Sequence, residues 1–147
     1  MRIENRKAFH DYTILDRLEA GVHLIGPEVK SLRAGHASLD GAFVRLIDSE
    51  AYLVNAQVFP YALARPEGYD PKRTRKLLLH KKQLISLKSK VESSNLTLIP
   101  ISWYTKGPLM KLEIALARGK KQYEKREAKK REDQRRELEV EFRGKVK

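Results

Sequence analysis

Between Leu109 and Ala117, Met110, Leu112, Ile114 and Leu116 alternate with Lys111, Glu113, Ala115 and Ala117. A period of two sends successive side chains to opposite faces of a strand, so this segment has one face made for a core. Leu96–Tyr104 precedes it across Lys106-Gly107-Pro108, a turn sequence, and the two segments read as a hairpin. A lone hairpin is marginal in water, so such a pair requires further strands to close over its apolar face. The chain supplies them. His10–Leu18 and Val22–Ile25 are β-prone, and Ala42–Ile47 and Ala51–Val58 flank the turn residues Asp48-Ser49-Glu50. In Ala51–Val58 the pattern puts Tyr52, Val54, Ala56 and Val58 on one face and Asn55 and Gln57 on the other.

Two segments read as helices. Gly26-Pro27 opens Glu28–Ala34, with Val29 and Leu32 three apart and Gly35 as a natural stop. Asp70-Pro71 opens a second stretch to about Glu92, where Leu84, Leu87 and Val91 recur at helical spacing. A break near His80 would divide it, making about three short helices. About six antiparallel strands and these helices predict a mainly β fold: a small closed or nearly closed barrel resembling the oligonucleotide-binding type, since closure removes unpaired edges.

Charge divides the chain differently. The 147 residues carry 31 basic and 19 acidic side chains, a formal +12. Residues 118–147 hold 13 of the basic and 7 of the acidic ones, and only Tyr123, Leu138, Val140, Phe142 and Val146 are large and apolar there. Such a segment buries too little to offset the entropy of ordering. The organisation expected is thus a barrel over 1–117 and a basic tail over 118–147, disordered when free. Glu127–Arg131 and Glu132–Arg136 are helix-stabilising pairs that would operate once an anionic surface is met.

A large basic surplus points to a polyanionic partner. There are no cysteines, so disulfides, thiol nucleophiles and thiolate metal sites are excluded. No apolar run is long enough to cross a bilayer, and no apolar stretch follows the charges of the opening MRIENRKAFHDY as in a signal peptide. A cytoplasmic protein with no membrane partner is expected. His10, His23, His36 and His80 lack metal-ligand spacing, and no phosphate-binding, dinucleotide or nucleophile-elbow motif occurs. Asp11, Asp16 and Glu19 could be imagined as a nuclease metal cluster, but acids on the solvent face of a strand explain them better. No enzyme, cofactor, metal or small-molecule substrate is called for.

The strongest local signal is Asp70-Pro-Lys-Arg-Thr-Arg-Lys-Leu-Leu-Leu-His-Lys-Lys82, with six Lys or Arg between Lys72 and Lys82 and no acid. Read as helix, it would project Arg73, Arg75 and Lys76 toward a phosphate backbone. Leu77-Leu78-Leu79 is of a kind more often found in a core. A generic single-strand binder remains open on these grounds, although it should display several stacking aromatics and Trp103-Tyr104 is an isolated pair.

Five motifs occur in order: N-R-K-A from Asn5, L-E-A-G at 18–21, E-V-K-S-L-R-A-G at 28–35, D-P-K-R-T-R-K-L-L-L at 70–79 and A-R-G-K-K at 117–121. Together they closely resemble the SsrA-binding (small protein B) family over about Asn5–Arg131. The resemblance implies an oligonucleotide-binding-like barrel that binds the tRNA-like domain of transfer-messenger RNA and delivers it to stalled ribosomes for trans-translation. It implies no catalysis. The RNA-binding residues it carries over are Glu19, Leu78 and His80, the last a departure from the asparagine of some members; Arg73, Arg75 and Lys76 of the basic run, with Lys30 and Arg33, are expected to join them. For the decoding centre of the small subunit, beside its ribosomal RNA, it suggests Gly119, Lys120 and Lys121. Glu124, Lys125 and Arg126 follow, with Glu replacing the family's Asp. Tyr123 stands where some members carry histidine, and Lys129 and Lys130 would face ribosomal RNA on a helix formed over Lys125–Glu139.

Overall fold

A computed structural model describes residues 1–61 and 68–120. The elements run β1 (Arg2–Glu4), α1 (Arg6–Asp11), β2 (Tyr12–Val22), α2 (Gly26–Arg33), β3 (Ala37–Ser38) and β4 (Phe43–Ile47). They continue as β5 (Glu50–Val54), β6 (Gln57–Val58), β7 (Arg75–Leu78), α3 (Lys81–Ser94), β8 (Thr97–Lys106) and β9 (Leu109–Gly119). The main sheet has the order β1-β8-β4-β5-β7-β2-β9, and β9 pairs back onto β8. Six strands therefore close a ring, with β1 added to the far side of β8, and the expected barrel-like architecture is found.

The long hairpin forms as its alternation requires. Lys106 pairs with Leu109, so Gly107 and Pro108 are a two-residue loop, and Gly107 takes the positive φ of 60° that such a turn demands. Met110, Leu112, Ile114 and Leu116 point into the core with Trp103, Leu53 and Leu77. Ala115 and Ala117 face outward, yet they too are buried, because α1 lays Ala8 over them beside Ile99 and Ile101. This helix replaces the start of the strand expected at His10. Asn5 is its N-cap: its Oδ1 accepts from the Ala8 N–H (3.2 Å) while its Nδ2 donates to the Pro100 carbonyl (2.8 Å). Beyond it, β2 runs unbroken through Gly21 instead of dividing into two strands.

Two further expectations are corrected. Ala51–Val58 is not one strand. Asn55 adopts a left-handed conformation (φ 66°), ending β5 and turning the chain into β6, which pairs with β3. The inward residues are Ala51 and Leu53 before the break and Ala56 and Val58 after it, so Tyr52 and Val54 lie on the other face. Nor is 71–80 helical. Arg75–Leu78 is one of the six strands of the ring, pairing with β5 and β2, and helix begins only at Lys81. Gln83 Oε1 accepts from the backbone N–H of His80 (3.0 Å), which fixes the start of α3, and Asn95 in the left-handed region (φ 51°) ends it.

Candidate nucleic-acid interface

The strand at 75–78 divides the basic motif by parity. Arg75 and Leu77 face inward and are buried, while Lys76 and Leu78 face outward. The Arg75 side chain is 0% exposed. Its Nε donates to Glu28 Oε2 (2.7 Å), Nη1 to the Ala56 carbonyl (2.9 Å), and Nη2 to the Tyr69 hydroxyl and the Pro71 carbonyl (3.1 Å each). Arg73 also pairs with Glu28, through Nη2 to Oε1 and Nε to Oε2, and reaches the His23 carbonyl. Burial pushes the Glu28 carboxyl up, but hydrogen bonds from Arg73, the Ile25 N–H and Arg75 outweigh it and hold it below the usual carboxylate range. Arg73 and Arg75 thus do not form the solvent-facing phosphate comb expected of a helix. They fasten α2 to the approach of β7, because a buried guanidinium must be paired and its donors satisfied.

That clamp positions an outer face. Gly21 of β2 pairs with Leu78, and a Cβ on Gly21 would come within 3.2 Å of the Leu78 Cβ. The missing side chain is what lets Leu78 lie across β2. Leu78 remains 54% exposed, a large apolar side chain held out to solvent by a strand whose preceding inward residue, Leu77, is buried. Two residues back along β2, Glu19 stands on the same face, opposite Glu113 of β9. The Tyr104 hydroxyl donates to Glu19 Oε2, and Lys106 Nζ donates to Oε1 at 3.3 Å. The Tyr104 hydrogen bond, with help from Lys106 and Lys111, holds the Glu19 carboxyl below its ordinary range, so it is an acceptor at neutral pH.

Around these residues the barrel arranges cations in exposed pairs. Arg17 reaches Glu113 at 3.3 Å, Arg2 reaches it at 3.7 Å, and Lys76 reaches Glu50 at 2.8 Å. Arg2 also lies 5.2 Å above the Tyr104 ring. Exposed pairs of this kind contribute little to stability, so a phosphate can take over the cation at small cost. Arg33, at the end of α2, donates to the Pro108 carbonyl (2.7 Å) in the turn that carries Lys106, and exposed Lys30 lies over the Tyr61 ring. His80 is exposed, two residues beyond Leu78.

The structure therefore brings Glu19, Lys76 and Leu78 onto one side, with His80 just beyond, and sets Lys30 and Arg33 on α2 nearby. Arg75 is withdrawn beneath, and Arg73, 30% exposed, is held against Glu28. Arg2, Arg17, Tyr104 and Lys106 were missed from the sequence. The parity of β8, with Trp103 inward, would have turned Tyr104 outward, but nothing local pairs it with Glu19, 85 residues away. Gly119 ends β9, and Lys120 is tied to α1 by its N–H to the Asp11 carbonyl (2.9 Å) and its Nζ to that of Phe9 (3.1 Å). Both are part of the fold, past the boundary expected at Ala117. Lys121, Tyr123, Glu124, Lys125, Arg126, Lys129 and Lys130 lie outside the described residues. Asp16 faces Lys90 (3.7 Å), and among the described residues no three His, Asp or Glu are grouped to hold a metal ion. No helix among them is long and apolar enough to cross a membrane.

Comparison with known proteins gives this face its context. The family described as SmpB protein matches residues 2–144. The chain belongs to the SmpB family. An SsrA-binding protein of Sulfurihydrogenibium sp. (strain YO3AOP1) is 52% identical over 143 residues, covering 97% of this chain and 94% of that one. Another, from Persephonella marina, is 47% identical with the same coverage. A solved structure described as "tmRNA-SmpB: a journey to the center of the bacterial ribosome" matches with a TM-score of 0.69 at 48% identity, over 82% of this chain and 85% of that one. The SmpB-family resemblance in the five sequence motifs and the closed strand ring agree with this likeness.

Proposed function

We propose that this protein is an RNA-binding adaptor of trans-translation in the cytoplasm. It binds the tRNA-like domain of transfer-messenger RNA and carries it to stalled ribosomes, so that the nascent peptide is tagged for degradation. The observation that carries the reading is family membership over 2–144, joined to a likeness at 48% identity to a structure whose description names tmRNA, SmpB and the ribosome. The outer face supports it chemically. Glu19, ionised and oriented by Tyr104 and Lys106, accepts hydrogen bonds from base amino groups or ribose hydroxyls. Leu78 packs on a base or sugar, and Lys76, Lys30 and Arg33 meet phosphates. None of these roles makes or breaks a covalent bond; the protein positions RNA.

The segment that leaves the barrel at Gly119 and Lys120 works in the small-subunit decoding centre. Lys120, Lys121, Lys125, Arg126, Lys129 and Lys130 meet ribosomal phosphates there and Tyr123 stacks on a base, filling space that a tRNA-like domain without an anticodon arm leaves open. Pull-down of the protein from lysate, followed by sequencing of the bound RNA, tests this. One dominant structured RNA is expected. A broad pool of single-stranded sequences would overturn it in favour of a generic binder.

A further inference from the structure

The groove between α3 and β4 is used by neither role. β4 touches β8 at a single rung, Val44–Leu98, so Arg45–Ile47 has a strand neighbour only on the β5 side. α3 passes along that opening and leaves a trough of about 500 Å³. Leu84, Val91, Leu96 and Leu98 line it, as does Ile85, which is 61% exposed. Arg45, Lys81 and Lys88 stand on its rim against Asp48 and Glu92. A basic-rimmed apolar trough next to an unpaired strand edge suits an extended segment with apolar and acidic residues in alternation.

We propose that the occupant is this chain's own Glu137-Leu-Glu-Val-Glu-Phe142. It carries three of the five large apolar residues after Arg118, at a strict period of two, with a glutamate before each. Extended, Leu138, Val140 and Phe142 share one face and the glutamates the other, which pairs leucine-lined floor with apolar side chains and Arg45, Lys81 and Lys88 with carboxylates. Six extended residues span about 20 Å, close to the roughly 18 Å of helix from Lys81 to Glu92. The connection reaches easily. Leu98 and Thr97 at the groove wall pair with Leu116 and Ala117 of β9, and the described chain leaves the barrel at Lys120. The sixteen residues 121–136 can extend up to about 50 Å, so docking is intramolecular at high effective concentration. The proposal does not depend on the RNA assignment.

The absence of cysteine makes the test clean. Arg143→Cys in the full chain takes one nitroxide label next to Phe142, and amide intensities are compared before and after reduction of the label. Leu46, Ile85 and Lys88 are expected to lose more than half their intensity, while Glu19 and Lys106, toward the far end of β8 from Leu98, keep theirs, and tenfold dilution leaves the pattern unchanged. Leu138→Asp with Phe142→Asp in the labelled chain should restore full intensity. Uniform intensities, or losses that survive this double change, overturn the proposal. So do losses in a mixture of spin-labelled and isotope-labelled chains, which would assign the groove to a second copy.

Discussion

Glu28→Gln removes one charge and almost no volume, yet it should be among the most damaging single changes in the barrel. Glu28 is 1% exposed, and it is the acid that both Arg73 and fully buried Arg75 contact. The amide leaves Arg75 without a countercharge and turns an –NH2 toward two guanidinium donors. Removing one partner of a buried pair costs about 3–5 kcal/mol, because the survivor stays desolvated. For an ordered domain of this size each kcal/mol corresponds to about 4 °C, so the midpoint of thermal unfolding should fall by ~12–20 °C. Circular dichroism melts and urea titrations read this directly. The pH dependence gives an independent check. Since the folded Glu28 pKa lies below its ordinary 4.5, its contribution is complete above that pH and is lost as pH falls through the folded value. The two proteins should therefore converge in stability on acidification. A loss under about 1 kcal/mol at neutral pH, or a gap that does not narrow in acid, would refute the clamp: the arginines would then be solvated and free to meet RNA.

Leu78→Asp should leave the melting temperature within a few degrees, since the side chain is 54% exposed, while weakening RNA binding at least tenfold in a filter or fluorescence titration. Glu19→Gln should be mild, and Glu19→Lys damaging despite its added positive charge, because Lys106 and Tyr104 lose their acceptor; equal or tighter binding by the lysine protein would make Glu19 an ordinary surface acid. RNA affinity should fall with salt at a log–log slope of several units, one for each phosphate contact, and a slope near zero would remove the electrostatic part of the interface. A chain ending after Lys120 retains the whole described barrel, so it should keep most of its RNA affinity yet fail to support tagging on stalled ribosomes; loss of both together would refute the division between barrel and tail.

Period and turn chemistry were enough to read the two β-hairpins, α2 and α3, the last as the second half of the helix expected over 71–92, because each is set by neighbours within a few residues; the closed character of the sheet followed from the number of strands whose edges had to be paired. Asn55 and the stretch 71–80 defeated that reasoning for different reasons. At Asn55 the alternation continues through a left-handed residue that silently exchanges the two faces. At Arg75 the basic composition resembled an exposed helix, and only a carboxylate 47 positions earlier makes burial of the guanidinium affordable. The candidate site divides in the same way. Glu19, Lys76, Leu78 and His80 could be named from motifs, but their common face is created by the β2–β7 rung at Gly21–Leu78 and by the β8 residues that hold Glu19. Charge and alternation are local properties and can be read one residue at a time. Which cation is buried, and which leucine is left in water, depends on pairs that only ring closure brings within hydrogen-bond distance.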